Sequence, residues 1–292
     1  MTAPRATRRL SRGAVPYLLG LPSWLYLTAF FVIPLASMLS LSLATGNPLV
    51  GYVFSWHFAE FGQAIHQYHS QLLRSFWYGA LATFITLVVT YPVAYWVAFY
   101  GGKHKSSYLF LILLPFFVSF VIRTLAWQFI LSDQGLVLGT LKAIGILPQN
   151  AYVLSTSIAV IGGLVYNSVA YYVLPLYVAL EKIDRRVVLA AGDLYATPAS
   201  SFWRVILPLS APGIFAGFLL VFVTNVGDFV NAAVLGGPGT SMIGNVIQYN
   251  FFDSQNYPMA ATLSSILMFL LIVAIYLYSR VFGAETIQDY AA

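Results

Sequence analysis

Apolar positions in this chain come in long uninterrupted blocks, with polar residues gathered between them rather than alternating along a face. No Asp, Glu, Lys or Arg occurs over residues 13–59, 75–102, 143–180, 205–227 and 254–279, and 106–132 is broken only by Arg123. A helix crossing the hydrocarbon of a bilayer needs about 20 apolar residues, so the pattern predicts six spans. They fall near residues 16–43, 74–100, 107–131, 154–180, 207–235 and 258–281 of one transmembrane domain occupying 1–292, an all-α polytopic membrane protein. Pro22, Pro34, Pro92, Pro115 and Pro175 lie inside these spans. Neighbouring helices can resatisfy the carbonyls that proline frees, so kinks rather than breaks are expected there.

The intervening segments are short. Residues 44–73 contain "FSWHFAEFGQAIHQYHSQLLRSF", which reads as an amphipathic surface helix. "SDQGLVLGTLKAIGILPQN" suits a short interfacial helix, and "GGPGTSMIGNVIQYNFFDSQNYP" opens on a turn. His57, His66 and His69 share the first of these loops, but without fixed ligand spacing they read as solvated residues and no metal site is expected.

Composition explains the blocks. The chain is 60% apolar and 8% charged, with a mean hydropathy of +0.81. That leaves too little charge to keep a soluble globule of 292 residues in water, so the bilayer is the solvent. The net charge of +5 does not indicate nucleic acid, because Lys and Arg are too sparse to form a basic stripe. Sorted by loop, Arg5, Arg8, Arg9, Arg12, Lys103, Lys105, Lys182, Arg185, Arg186, Arg204 and Arg280 fall on one side, and only Arg74, Arg123 and Lys142 fall elsewhere. This positive-inside bias predicts a multi-pass protein of the cytoplasmic (inner) membrane with both termini in the cytoplasm. The basic N-terminus followed by an apolar run is like a signal peptide, but the run far exceeds a 7–15-residue h-region and is read as a helix. The absence of cysteine excludes disulfides, thiolate metal sites and cysteine nucleophiles.

One cytoplasmic segment, 181–206, is unlike the rest. "EKIDRRVVLAAGDLYATPASSFWRVILP" is basic, then small and polar, with a helical run followed by Thr-Pro, a cap and first-turn signal for a second helix. It carries no nucleophile–base pair and no phosphate-cradling glycine loop. It is suited to fitting a groove on another protein. The spacing of "LAAGDLYATPASSFWRVILP" resembles the EAA loop of ABC importer permeases, in which EAA is followed by three residues, Gly, nine residues and Ile-x-Leu-Pro. On this resemblance Ala190 and Ala191 match the alanine pair, Asp193 and Leu194 the common Asp-Leu, and Val205, Leu207 and Pro208 the closing pattern. The resemblance implies that the loop, including Gly192 and Ala196, docks into a cytoplasmic ATPase. Two positions depart: Leu189 stands in place of Glu, and Tyr195 in place of Gly. Leu189 offers no charge, so docking is expected to lean on apolar contact. Either Gly192 relocates the turn or the loop takes another path, since a left-handed Tyr is costly.

"VGDFVNAAVLGGPGTSMIGNVI", "NYPMAATLSS", "RTLAW", "YPVAYWVA" and "VLPLYVALEKID" are similar to the polyamine-type, PotB-like branch of that family, over roughly residues 70–281. The resemblance implies the type I ABC importer permease fold and carriage of a small cationic solute such as spermidine or putrescine. Related permeases handle other amines, opines or aminophosphonates. Also implied are a second homologous permease, two ATPase subunits holding ATP and Mg, and an extracytoplasmic binding protein. No cofactor is expected on this chain, and no catalysis.

Only Arg123 and Asp228 are charges well inside predicted spans. Such a residue is a functional candidate by default. Counted along ideal helices, the two lie at similar depth, so an Arg123–Asp228 ion pair is one reading. The other is that Asp228 lines the path, because Thr224, Asn225, Asp228 and Asn231 share one arc of a helical wheel. Trp127, Tyr166 and Tyr171 are candidate aromatic walls, able to attract an ammonium group through their ring faces. A secondary transporter would call for inverted repeats and more intramembrane acids, and a membrane enzyme for a catalytic constellation. The sequence offers neither.

Overall fold

The computed structural model describes residues 15–282. The basic run Arg5 to Arg12 and the expected cytoplasmic location of the two termini lie outside these residues. The chain begins with α1 (Val15–Leu27), a π-helical turn at Thr28–Val32 and α2 (Ile33–Ser42). A small hairpin follows, β1 (Ala44–Asn47) and β2 (Gly51–Phe54), antiparallel with Ala44 opposite Phe54 and Asn47 opposite Gly51. Asn47 Oδ1 closes its turn by accepting from the backbone N–H groups of Leu49 and Val50. α3 (Ala59–Tyr100) is 42 residues long with an internal kink at Tyr68. At 1.5 Å per residue it extends about 60 Å, roughly twice the hydrocarbon thickness. The surface helix expected within 44–73 is therefore the outer continuation of the second span, preceded by a hairpin.

α4 (Lys105–Leu113) runs through a 3₁₀ turn at Leu114–Phe117 to α5 (Phe120–Leu131), and α6 (Leu136–Ala143) occupies the second outer loop. α7 (Ser157–Glu181) is continuous through Pro175. α8 (Arg185–Asp193), α9 (Pro198–Ser201), a π turn at Phe202–Ile206 and α10 (Leu207–Leu209) lead into α11 (Ala211–Val226). After a break come α12 (Val230–Leu235), α13 (Ile243–Gln248), a π turn at Tyr249–Asp253 and α14 (Tyr257–Phe282).

Four helical stretches are long and apolar enough to cross a membrane: 20–42, 59–100, 157–181 and 257–281. Two bent pairs bring the number to as many as six: residues 102–117 with 120–143, bent by 87°, and 198–209 with 211–226, bent by 62°. The third expected span is thus not one straight rod. Pro115 removes a backbone donor, and Val118 and Ser119 adopt extended backbone at the elbow. The fifth, expected to reach residue 235, stops at Val226 and resumes as α12.

The core is the triple packing of α3, α7 and α11. One cluster gathers Tyr91, Ala94, Tyr172, Val173, Leu176 and Val221, and a second joins α3 and α11 to α14 through Leu72, Phe222, Val226, Leu263 and Leu267. In lipid the backbones must approach closely to gain from dispersion, which favours small residues at the contacts. A Cβ on Gly213 would lie 2.4 Å from the Ala179 Cβ and 2.8 Å from the Pro175 carbonyl oxygen. Buried hydroxyls are satisfied within this core. Thr83, Thr86 and Thr90 donate to carbonyls one turn back on α3. Tyr91 and Ser210 hydroxyls meet at 2.9 Å, and the Tyr172 hydroxyl donates to the Ile214 carbonyl at 3.1 Å.

Candidate translocation path and coupling loop

The break after α11 places a carboxylate at a new helix start. Asp228 Oδ1 accepts from the Asn231 backbone N–H at 2.8 Å, and Oδ2 accepts from Asn231 Nδ2 at 3.2 Å. The side chain so satisfies one of the free donors at the first turn of α12. Asn231 Oδ1 in turn accepts from Asn167 Nδ2 at 3.1 Å, which also donates to Thr124 Oγ1 at 3.2 Å. This chain of polar groups joins α12, α7 and α5. A second joins α7, α11 and α3: Ser168 Oγ donates to Asn225 Oδ1 at 2.8 Å, and Asn225 Nδ2 donates to Thr83 Oγ1.

These bonds divide the expected polar arc. Asn225 and Asn231 are 3% and 1% exposed and act between helices, whereas Thr224 is exposed and Asp228 half-buried at the surface of the bundle. A wheel drawn through 207–235 assumes one continuous helix. The interruption at 227–229 resets its phase. Ala216, Leu220, Thr224 and Gly227 form the exposed stripe of this segment instead.

Arg123 does not pair with Asp228. Among the described residues the ion pairs are Lys105–Glu181 at 2.7 Å and Lys142–Asp133 at 3.2 Å. The elbow at 118–119 brings the Phe116 ring against Arg123, whose guanidinium lies 4.3 Å from the ring centroid and 6.0 Å from that of Phe120. Arg123 is 7% exposed, and its Nε and Nη1 have no hydrogen-bond partner among the described residues. Of the expected aromatic walls, Trp127 and Tyr166 meet edge-on at 5.3 Å beside the Thr124–Asn167 bond. Tyr171 is exposed and meets Phe116, the ring against which the Arg123 guanidinium lies. A cavity of about 320 Å³ next to the helix break is lined by Gly227, Phe229, Gln248, Phe251 and Phe252 among others. Sequence reading missed these phenylalanines, because in a chain this apolar nothing distinguishes a lining Phe from a packing one.

The outer-loop histidines do not converge. His69 Nδ1 contacts the His66 carbonyl oxygen at 2.9 Å rather than the His66 ring.

On the basic side, Asp184 caps α8 by accepting from the Arg186 N–H at 2.9 Å. The helix ends in a paired closure: Ala196 N–H donates to the Ala191 carbonyl at 3.0 Å and Tyr195 N–H to the Gly192 carbonyl at 2.9 Å. This is a Schellman ending, whose penultimate residue takes the left-handed conformation that usually selects glycine. Tyr195 occupies it, with φ +60. The turn has therefore not moved to Gly192, which lies inside α8 with open space beside it. Thr197 caps α9 by accepting from the Ser200 N–H, with Pro198 at the first position, as the sequence indicates.

The loop is moored to the bundle on one side and bare on the other. Ile206 is buried, Val188 and Phe202 pack on the cluster around Tyr91, and Arg185 Nη2 donates to the Ala98 carbonyl at 3.2 Å. Leu189, Leu194, Tyr195 and Trp203 point away, 68%, 81%, 96% and 66% exposed. Ala190, Gly192 and Asp193 are also exposed, while Ala191 and Ala196 are half-buried.

Residues 75–282 match the family of binding-protein-dependent transport system inner membrane components. The chain belongs to this family. It is 36% identical over 259 residues to the spermidine/putrescine transport system permease protein PotB of Haemophilus influenzae, covering 88% of this chain and 90% of that one. With PotB of Escherichia coli it shares 35% over 213 residues, 73% of this chain and 78% of that one. With the sn-glycerol-3-phosphate transport system permease protein UgpA of Salmonella choleraesuis it shares 30% over 274 residues, 89% and 90% of the two. A crystal structure of a bacterial ABC transporter that imports alginate contains a chain superposing with a TM-score of 0.75 at 18% identity, over 93% of this chain and 96% of that one. The fold is that of type I ABC importer permeases, and the family is one of membrane transport subunits.

Proposed function

We propose that this chain forms half of the translocation path of an ATP-driven importer for a small cationic solute, a polyamine such as spermidine or putrescine. The observation that carries the reading is the sign of the less buried of the two charges inside the expected spans. Asp228 is partly exposed, and Thr224, four residues before it, is exposed, while Arg123 is buried with its guanidinium against Phe116. A path presenting a carboxylate and ring faces favours an ammonium and repels a carboxylate or phosphate. Identity to two PotB permeases over most of their length points the same way.

One carboxylate cannot neutralise a di- or trication, so the path is completed by a second homologous permease. Two ATPase subunits, binding ATP and Mg, engage the segment 181–206 from the cytoplasm, and an extracytoplasmic binding protein delivers the solute. The chain performs no chemistry. ATP-driven closure of the ATPases moves the loop and rocks the helices between outward and inward openings.

The test is amine uptake by the whole transporter in proteoliposomes. Asp228→Asn removes the charge and keeps an oxygen to accept from the Asn231 backbone N–H, while its amide nitrogen can no longer accept from Asn231 Nδ2. The expected outcome is an assembled complex whose spermidine uptake falls at least about tenfold. Unchanged uptake at subsaturating amine would remove Asp228 from the path.

A further inference from the structure

Segment 181–206 contains a backbone strain that no contact among the described residues offsets. Tyr195 holds φ +60, a conformation that costs a non-glycine residue through its Cβ. Its ring makes no hydrogen bond and no ring contact among the described residues, and the residue is 96% exposed. Leu194 beside it is 81% exposed and Leu189, five residues before Leu194 on α8, 68%. Backbone strain that supports no internal packing marks a position held for something outside the fold. Three large apolar side chains projecting from one helix end, on a protein segment outside the apolar blocks, are also unlike a solvated surface.

We propose that Tyr195, flanked by Leu189 and Leu194, is an aromatic plug that inserts into an apolar socket on the ATPase, and that it selects the ATPases with which this permease pairs. The inference rests on the reading above, that segment 181–206 is where the ATPase docks. The physical argument is continuous with the backbone. The left-handed residue that ends α8 sits where the chain reverses, so its side chain leads the loop outward. Leucine at 189 supplies no charge for a basic group on the partner to meet. Exposed Asp193 leaves one charge at the edge of the contact, whose centre is built from buried apolar area around the aromatic ring, as in interface hot spots. The matching surface on the ATPase is a pocket wide enough for a phenol ring, lined by aliphatic or aromatic side chains. An ATPase shaped for a glycine at that point has no room for the ring.

The experiment uses the intact transporter, solubilised from membranes, with three permease variants. Tyr195→Gly relieves the backbone, Tyr195→Phe keeps the ring, and Ala190→Arg places bulk on the exposed face of α8. The readouts are ATPase retained per permease after a salt wash, and transport-stimulated ATP hydrolysis. Tyr195→Gly is expected to lose ATPase at least about tenfold at undiminished permease yield and protease resistance, with Tyr195→Phe like the parent. Wild-type retention by Tyr195→Gly together with loss by Ala190→Arg overturns the plug while leaving the docking segment in place. Wild-type retention by both overturns the docking segment as well.

Discussion

Arg123 and Asp228 show how far one residue's surroundings decide its role. At similar predicted depth, opposite charges in a low-dielectric medium would be expected to find each other. Instead Asp228 is held by Asn231, and Arg123 by the faces of Phe116 and Phe120. Each has a separate set of partners, and separate partners imply additive effects. In a cycle of Asp228→Asn, Arg123→Gln and the double variant, the expected interaction energy in thermal stability is below about 0.5 kcal/mol. If the two were paired, the single Asp228 change would strand a buried cation, costing about 3–5 kcal/mol, and the double would recover much of it. Denaturation of the three solubilised complexes distinguishes these results. The same residues mark what the sequence conceals. The need for partners was evident from burying a charge in an apolar span. Their identity depended on the sharpness of the elbow at Ser119 and on the break at Gly227, and nothing in the local sequence specifies which rings or amides these bring alongside.

Among elements, continuity was harder to read than existence. Long charge-free runs reveal α3, α7 and α14 because only a helix satisfies its backbone in lipid. The kink expected at Pro115 is the bend between α4 and α5, but its size of 87° was not legible, since no charge or glycine marks Val118 and Ser119. The hairpin at 44–54 was also missed. Its Gly46, Asn47-Pro48 and Gly51 are turn signals, but strands of four residues are too short to develop an alternation. Helix contacts depend on similar local detail. At Gly213 the neighbours of an added methyl are the Ala179 Cβ and the backbone of Pro175 and Leu176, and a helical backbone cannot yield like a side chain. Gly213→Val is expected to separate α11 from α7, at about 1–3 kcal/mol for overpacking. Gly162 faces open space on α7, so Gly162→Val controls for valine in a membrane helix. The check is the melting temperature of each purified variant: a clear drop for the first and little change for the second. Equal melting temperatures would mean that the α7–α11 contact is looser than its geometry.

For the whole molecule, the proposed function requires that force on segment 181–206 reach Asp228, just beyond the end of α11. The loop meets the bundle at two places of different character. Val188, Phe202 and Ile206 enter the cluster around Tyr91 and Leu176, an apolar joint that tolerates sliding. Arg185 is directional: Nη2 holds the Ala98 carbonyl at 3.2 Å and its guanidinium lies 5.9 Å from the Phe99 centroid, tying α8 to the inner end of α3. The Lys105–Glu181 pair ties α4 to the inner end of α7 nearby. α3 and α7 both pack on α11, so on the proposed reading a rigid α8–α3 joint moves these three helices together. Without it the loop can follow the ATPases while the bundle lags. Arg185→Ala is therefore expected to leave the complex assembled, since the exposed docking face is untouched, and to leave ATP hydrolysis near its parent rate. Uptake per ATP should fall at least about fivefold. Arg185→Lys, which keeps a charge but not the reach and planarity of the guanidinium, should recover only part of the ratio. Measuring hydrolysis and uptake on the same proteoliposomes yields that ratio directly. Parallel loss of both activities would place Arg185 in assembly rather than transmission, and an unchanged ratio would leave the apolar joint as the sole carrier of the motion.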